Sequence, residues 1–122
     1  MYKLNVTSSF ASAHKLNGYD GLCKNLHGHN WKVRLCVLCD KLDDIGMAMD
    51  FGILKQKLND FLTEFDHQYL NDLPAFKEMN PTSENIARII FEGIGSKLSE
   101  SFCEVVEVEV WESEKSSVVY GL

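Results

Sequence analysis

Two long runs of alternating residues, each with histidine at one end, most constrain how this chain of 122 residues can fold. The first run extends from Tyr2 to about His14, and the second begins at His27 and continues to Val37. Alternation with a period of two is typical of strands with one buried face. Turn-forming residues at 17–21 separate the runs. We therefore predict an antiparallel hairpin that brings His14 close to His27.

Two later segments have the apolar spacing of helices. Asp50 is a suitable N-cap for the first helix, whose apolar positions continue to Phe65. Residues 66–80 are predicted to be a loop. The second helix is predicted to open at 81–84, with Pro81 in its first turn and Glu84 at the positive end of the helix dipole.

Two shorter strands follow the helices. Val106, Val108 and Val110 alternate with two glutamates that we expect to point outward into solvent, and this strand ends at 111–112. Residues 117–120 form the fourth strand. The order ββααββ predicts an α+β fold with two helices on one face of an antiparallel sheet, as a single domain over residues 1–122.

Charge and hydropathy narrow the classes of partner. The net charge of −6, without a basic cluster, argues against nucleic acid or an anionic membrane as the main partner. No apolar run approaches the roughly 20 residues that span a bilayer. The N-terminus also lacks the features of a signal peptide, so we predict a cytoplasmic protein.

The four cysteines are expected to stay reduced in that compartment. Cys36 and Cys39 have the spacing of a redox or zinc motif, but residues three apart on a strand face opposite sides of a sheet. We therefore interpret Cys36, Cys39 and Cys103 as packing residues.

Three of the four histidines can meet at one point if the predicted hairpin forms. His27 and His29 lie on the same side of a strand, and His14 approaches from its neighbour. Three imidazoles with an open fourth position are typical of catalytic zinc. The alternative is that these are ordinary strand histidines. Cys23, four residues before His27, is a fourth ligand, a general base or an inert loop cysteine.

A second group of residues has acid–base character. Asp66 precedes His67, and a neighbouring carboxylate can orient an imidazole that transfers protons. A structural aspartate that caps local backbone is an equal alternative. Glu112 ends the third strand on its apolar face, where a carboxylate needs a partner. It either binds a guanidine-like edge of a ligand or lies at a solvated strand end.

Six motifs together resemble the 6-pyruvoyl-tetrahydropterin synthase family and cover nearly the whole chain. The three residues between Cys23 and His27 are similar to the spacing in the bacterial 6-carboxy-tetrahydropterin synthase branch. The motifs, in chain order, are Phe10–His14, Cys23–His29, Met49–Phe51, Asp66–Asn71, Pro81–Asn85 and Trp111–Ser113.

The resemblance implies a tunnelling fold, in which the sheets of several subunits join into a barrel. It implies a homo-oligomer, a hexamer built as a dimer of trimers, with active sites at subunit interfaces. It also implies conversion of 7,8-dihydroneopterin triphosphate to 6-carboxy-5,6,7,8-tetrahydropterin with loss of acetaldehyde and triphosphate, a step toward queuosine. The sister reaction, which forms 6-pyruvoyl-tetrahydropterin, and a related pterin side-chain lyase are the nearest alternatives. A non-catalytic zinc- or pterin-binding module is an alternative of another class.

The same resemblance implies a role for each candidate residue. Zn²⁺ is held by three ligands, Cys23 accepts a proton from substrate carbon, and His67 with Asp66 returns or relays one. Glu112 joins that relay or anchors the pterin ring. The implied zinc ligands are His14, His27 and His29, and the candidates for binding the triphosphate are Lys15, Lys24, Arg88 and Lys115.

Overall fold

The computed structural model describes residues 1–19, 21, 25–98 and 102–121. Within them lie two α-helices and one five-stranded sheet of order β3-β1-β2-β4-β5, which confirms the predicted α+β fold. The strands are β1 (Tyr2–His14), β2 (His27–Cys39), β3 (Gln68–Tyr69), β4 (Cys103–Ser113) and β5 (Ser116–Gly121), and the helices are α1 (Phe51–Leu62) and α2 (Ser83–Lys97).

The predicted hairpin is present and positions the histidines. β1 and β2 pair antiparallel along their full lengths, from Tyr2 opposite Cys39 to His14 opposite His27. Side chains of one face recur at every second residue, so His29 joins the same face one step along β2. That face is covered by the helices.

Both helices begin at side-chain caps. The Gly52 N–H donates to Asp50 Oδ1 at 2.6 Å, which confirms the predicted start of α1. In α2 the N-cap is Thr82, whose hydroxyl accepts from the Asn85 N–H at 3.1 Å. Pro81 therefore precedes the cap and does not lie in the first turn, contrary to the prediction. The Pro81 carbonyl instead contacts the His14 ring.

The core lies between the helices and one face of the sheet. Each fully buried leucine or isoleucine contributes about 1.5–3 kcal/mol through the hydrophobic effect. β1, β2 and β4 form one wall of this core, and both helices form the other wall. The packing between these walls holds the strand ends in fixed positions. Its fully buried members include Trp31, Val33, Leu35, Leu54, Leu58, Ile86, Ile90, Ile94, Val108 and Val110.

Two parts of the sheet differ from the prediction. Gln68 and Tyr69, placed in a predicted loop, form β3 and pair parallel with Ser12 and Ala13 of β1. The remainder of that loop forms two short 3₁₀ turns, Leu70–Asp72 and Pro74–Phe76. In β4 the register shifts opposite Cys36 and Val37, and Val105 is buried where alternation predicted Val106. A bulge adds one residue to a strand. Beyond the bulge, the residues that face inward are therefore the ones that would otherwise face outward.

The expectation that every cysteine stays reduced is also wrong for one pair. Cys39 and Cys103 are register partners at the end of the β2–β4 ladder and form a disulfide with a Cα–Cα distance of 4.3 Å. Facing residues in adjacent strands lie close enough for such a bond. Cys36 is free and buried, as a packing residue should be.

The face of the sheet opposite the helices carries an ionic network. Arg34 donates to Glu107 Oε2 at 2.8 Å, to Glu109 Oε1 at 3.1 Å and to Asn5 Oδ1 at 2.7 Å. Ser117 Oγ donates to the second Glu109 oxygen at 2.7 Å. The two glutamates point away from the core, as predicted. They are paired with Arg34, however, whereas the sequence predicts that they are solvated. We call these five residues the Arg34 network.

Within the described residues, no helix has both the length and the apolar character that crossing a bilayer requires.

Candidate metal centre and acid–base pair

Three imidazoles converge at the end of the β1–β2 hairpin. His14 ends β1 and is 1% exposed, while His27 and His29 at the start of β2 are about one-quarter exposed. The ring centroids are 4.4 Å apart for His14 and His27, 4.6 Å for His27 and His29, and 5.2 Å for His14 and His29. The structure thus brings together the three histidines that the sequence predicted as zinc ligands.

Backbone carbonyls orient two of the rings. His14 Nδ1 lies 2.8 Å from the Pro81 carbonyl oxygen, and His27 Nδ1 lies 2.6 Å from that of Asn25. Each Nδ1 therefore carries the proton that it donates, and each Nε2 keeps a lone pair. These two Nε2 atoms face each other at 2.9 Å. Two lone pairs at this distance repel, and a shared cation relieves that repulsion.

Glu112 on β4 completes the cluster. Its Oε1 lies 2.9 Å from His29 Nε2, 3.4 Å from His14 Nε2 and 3.8 Å from His27 Nε2. One ligand atom from each of the four residues lies within 4.8 Å of every other. We call these four residues the metal centre. The sequence placed Glu112 on the inward face of its strand but did not predict this proximity.

The third imidazole lacks a satisfied partner. His29 Nε2 is buried and makes no hydrogen bond within the described part of the chain, even though a Glu112 oxygen is near. Burial lowers the pKa of His29, and the neighbouring imidazoles add to that shift, while the Glu112 carboxylate opposes it. A ring kept neutral in this way is in the form that binds a metal. The orphaned nitrogen, the facing lone pairs and the His₃–carboxylate donor set all fit Zn²⁺.

Trp31 gives the centre a rigid wall. Its fully buried ring packs edge-on against His14 at 5.0 Å and His29 at 5.3 Å, and it stacks on Phe10 at 5.8 Å. The alternation of β2 predicts Trp31 as a core residue only. Its contact with two of the clustered histidines depends on the tertiary structure.

Asp66 and His67, the predicted acid–base residues, lie in contact beside the outer edge of β1. Asp66 Oδ2 lies 2.9 Å from His67 Nδ1, and its Oδ1 accepts the Ala11 N–H at 2.8 Å. This backbone hydrogen bond, followed by the contact with His67, lowers the pKa of Asp66. The charged carboxylate thus binds local backbone and also lies beside the imidazole, so its contacts fit both interpretations of Asp66.

The backbone of His67 is strained. Its φ of 56° lies in the left-handed region, which costs about 1–2 kcal/mol for a residue with a Cβ. The His67 N–H donates to the Ala11 carbonyl at 2.6 Å, which helps to hold the conformation. The side chain is 82% exposed. His67 is not part of the metal centre in the described chain, and Cys23, the predicted base, lies outside the described residues.

Two asparagines, which the sequence analysis did not single out, hold the chain just beyond β1. The Asn71 side chain accepts from the Lys15 N–H at 3.0 Å and donates to its carbonyl at 2.8 Å. Asn80 makes the same pair of bonds with Asn17, at 2.9 and 2.8 Å. The backbone that leads from His14 toward Cys23 is thus tied to the core on one side. Asn71 lies in the quoted Asp66–Asn71 motif, but nothing local indicates its partner.

Among the candidate phosphate-binding residues, the structure gives side-chain contacts for Arg88. Arg88 is directed along α2, with its guanidinium 3.8 Å from Glu92 and 3.5 Å from the Met79 sulfur. Lys24 lies outside the described residues. The triphosphate site therefore stays a prediction.

Comparison with known proteins agrees with the fold. The family model described as 6-pyruvoyl tetrahydropterin synthase matches residues 3–121. The chain is 39% identical over 118 residues to a 6-carboxy-5,6,7,8-tetrahydropterin synthase of Synechocystis, covering 92% of this chain and 87% of that protein. It is 31% identical to the Bacillus subtilis protein of the same name, covering 98% and 84%. The solved Caenorhabditis elegans 6-pyruvoyl tetrahydropterin synthase superposes with a TM-score of 0.87 at 28% identity, covering 99% of this chain and 95% of that one.

Proposed function

Because the chain belongs to the 6-pyruvoyl tetrahydropterin synthase family, we propose that it is a lyase acting on 7,8-dihydroneopterin triphosphate. With one molecule of water consumed, the products are 6-carboxy-5,6,7,8-tetrahydropterin, acetaldehyde and triphosphate. The observation that carries the proposal is the metal centre, whose four ligand atoms all lie within 4.8 Å of one another. The names of the Synechocystis and Bacillus relatives, and the short spacing from Cys23 to His27, support this product over the pyruvoyl compound.

In this proposal His14, His27 and His29 hold Zn²⁺ through their Nε2 atoms. The bound ion supplies a Lewis acid that stabilises negative charge as a proton leaves substrate carbon. The carbonyls of Pro81 and Asn25 keep two of the rings in the ligating tautomer. Those two rings therefore need no change of tautomer before metal binds.

Proton transfer is assigned to three side chains. Cys23 removes the proton from carbon, since a thiol near a dication and imidazoles has a lowered pKa. His67 returns or relays a proton, with its Nδ1 bound to Asp66. Glu112 either joins this relay or accepts the N–H edge of the pterin ring.

A homo-oligomer is the natural setting for these residues. Among the described residues, the outer edge of β1 is paired only at Ser12 and Ala13, and β5 ends the sheet. Open strand edges favour pairing with another chain. The exposed His67 lies on the open side of β1, where a second copy can complete a site. The proposed assembly is a hexamer of two trimers, and the proposed setting is queuosine synthesis in the cytoplasm.

A product assay with purified, zinc-loaded protein tests the reaction. Incubation with 7,8-dihydroneopterin triphosphate should release equal amounts of acetaldehyde and 6-carboxy-tetrahydropterin, measured by aldehyde trapping and chromatography. A pyruvoyl product without acetaldehyde would assign the sister reaction. Tight zinc and pterin binding without turnover would assign a non-catalytic binding module.

A further inference from the structure

We propose that Asn71 is a positioning residue, which fixes the place of the Asp66–His67 pair along the outer edge of β1. The inference rests on the proposed function, because it assumes that His67 transfers a proton. Asn71 itself has no part in that transfer. It acts through the short backbone segment that joins it to His67.

The segment from His67 to Asn71 follows β1 at a constant offset of 56 residues. At its start the His67 N–H donates to the Ala11 carbonyl, and β3 pairs with β1 over the next two residues. At its end the Asn71 side chain binds both backbone groups of Lys15, at 3.0 and 2.8 Å. Asn71 therefore extends the register of the parallel pair beyond the end of β3.

A side chain continues the pairing here because the backbone has turned into a 3₁₀ turn. Leu70 begins this turn, in which the Leu73 N–H donates back to the Leu70 carbonyl at 3.0 Å. The Asn71 carboxamide carries a carbonyl acceptor and N–H donors, the same groups as a peptide unit. It therefore binds Lys15 as the backbone of a neighbouring strand would. An aliphatic side chain offers neither group, and an ionised carboxylate offers only the acceptor.

Without Asn71 this register would depend on a very short strand. β3 has 2 residues, fewer than the roughly 3–10 of a usual strand. A slip by one residue would shift the segment by about 3.3 Å and turn each side chain to the other face. The two bonds between Asn71 and Lys15 match the observed register, so they favour it over a slipped one.

The position of His67 depends on this register. Its φ of 56° persists only if the surrounding structure holds it, and 82% of its side chain is exposed, so packing contributes little. Asp66 holds the segment at one end, where its Oδ1 accepts the Ala11 N–H at 2.8 Å. Asn71 holds the other end. The two side chains thus bracket the strained residue and set where its imidazole lies beside β1.

Steady-state kinetics of purified, zinc-loaded variants measure the effect of Asn71. Asn71→Ala removes both bonds to Lys15 and should lower kcat by about 10–100-fold, since a misplacement of roughly 1 Å can cost about 10²-fold. KM should change by less than about twofold, because the loss lies in proton transfer and not in substrate binding. Asn71→Asp keeps the acceptor and loses the donor, so its kcat should lie between those of Asn71→Ala and the wild type.

A double variant separates positioning from a general structural effect. When His67→Ala is already present, Asn71→Ala should lower kcat no further, because a residue that acts through His67 has no effect in its absence. Asn80→Ala is the matched control, since Asn80 makes the same two bonds to Asn17 from a segment without a proposed proton-transfer group. Its effect on kcat should multiply with that of His67→Ala. If the losses from Asn71→Ala and His67→Ala multiplied as well, the proposal would be overturned.

Hydrogen–deuterium exchange of the same proteins tests the register without any turnover. In Asn71→Ala, a peptide covering 65–71 should exchange on the order of 10-fold faster than in the wild type, while Asn80→Ala should leave that peptide unchanged. Peptides from α2 serve as the reference for a folded core. Equal exchange in Asn71→Ala and the wild type would refute the proposal. If the wild type did not turn over the pterin triphosphate but Asn71→Ala exchanged faster, the proposed function would fail and the placement of His67 by Asn71 would stand.

Discussion

The metal centre is built on β1, β2 and β4, and the Arg34 network is built on these strands and β5 on the opposite face of the sheet. In the network, the Arg34 guanidinium donates to two carboxylates and one amide, so its charge is paired. In the metal centre, two imidazole lone pairs face each other, and a third nitrogen is buried and has no hydrogen bond to any residue that the structure describes. A satisfied cluster stabilises a fold, whereas an unsatisfied one at this depth indicates that a ligand is needed. The following experiments test that distinction.

Removing one histidine should have the largest effect. His27→Ala is expected to reduce bound zinc from about one per chain to almost none, and to lower turnover by about 10⁴-fold or more, because several kcal/mol of transition-state stabilisation depend on the ion. Metal analysis and acetaldehyde release measure the two effects. Arg34→Met serves as control and should keep its zinc. If both variants lost their zinc, zinc binding would not distinguish the metal centre from the Arg34 network.

Cys23→Ala separates metal binding from proton transfer within the same site. Turnover should fall by about 10²–10⁴-fold, the usual contribution of a general base, while one zinc per chain is retained. Steady-state kinetics and metal analysis on the same preparation report both. Unchanged turnover would exclude Cys23 as the base, and loss of zinc would make it a ligand.

Zinc should stabilise the fold only through the metal centre. At a free zinc concentration about 100-fold above the dissociation constant, the unfolding free energy of the wild type should rise by about 2.7 kcal/mol. Urea denaturation with zinc and with a chelator measures the gain. His27→Ala should show none of it, and Arg34→Met all of it.

Breaking the Arg34 network should cost stability and leave the chemistry intact. Arg34→Met exposes Glu107 and Glu109 to mutual repulsion, and we expect a loss of about 1 kcal/mol in unfolding free energy. Turnover and zinc content should match the wild type. A variant with normal stability but poor turnover would assign this face of the sheet to the active site.

The smallest expected effect is in the pH dependence of stability. The hydrogen bond from Arg34 holds the pKa of Glu107 below its ordinary value of 4.5. The stabilisation is therefore complete above about pH 4.5 and is lost as pH falls through the lowered pKa. The difference in unfolding free energy between wild type and Arg34→Met, both metal-free, should shrink on acidification. A difference independent of pH would point to packing by the Arg34 stem.

Much of the hairpin and its histidines could be predicted because the signals are local. Alternation with a period of two defined β1 and β2, and the turn residues between them implied the pairing that sets His14 opposite His27. The signal that predicts the N-cap at Asp50 is equally local. The two-residue strand β3 was missed because its pairing partner, 56 residues earlier in the chain, leaves no mark on so short a segment.

The sequence by itself determined which residues share a strand face and which side chains have the chemistry to bind a metal. The tertiary structure decided which of them meet. Glu112 reaches the histidines because the β2–β4 register and the packing of α2 bring it there, and both depend on contacts distant in the chain. Cys39 and Cys103 pair at the other end of the same ladder for the same reason. Local periodicity reports the direction of a side chain, but only the closed core sets the distance between strands.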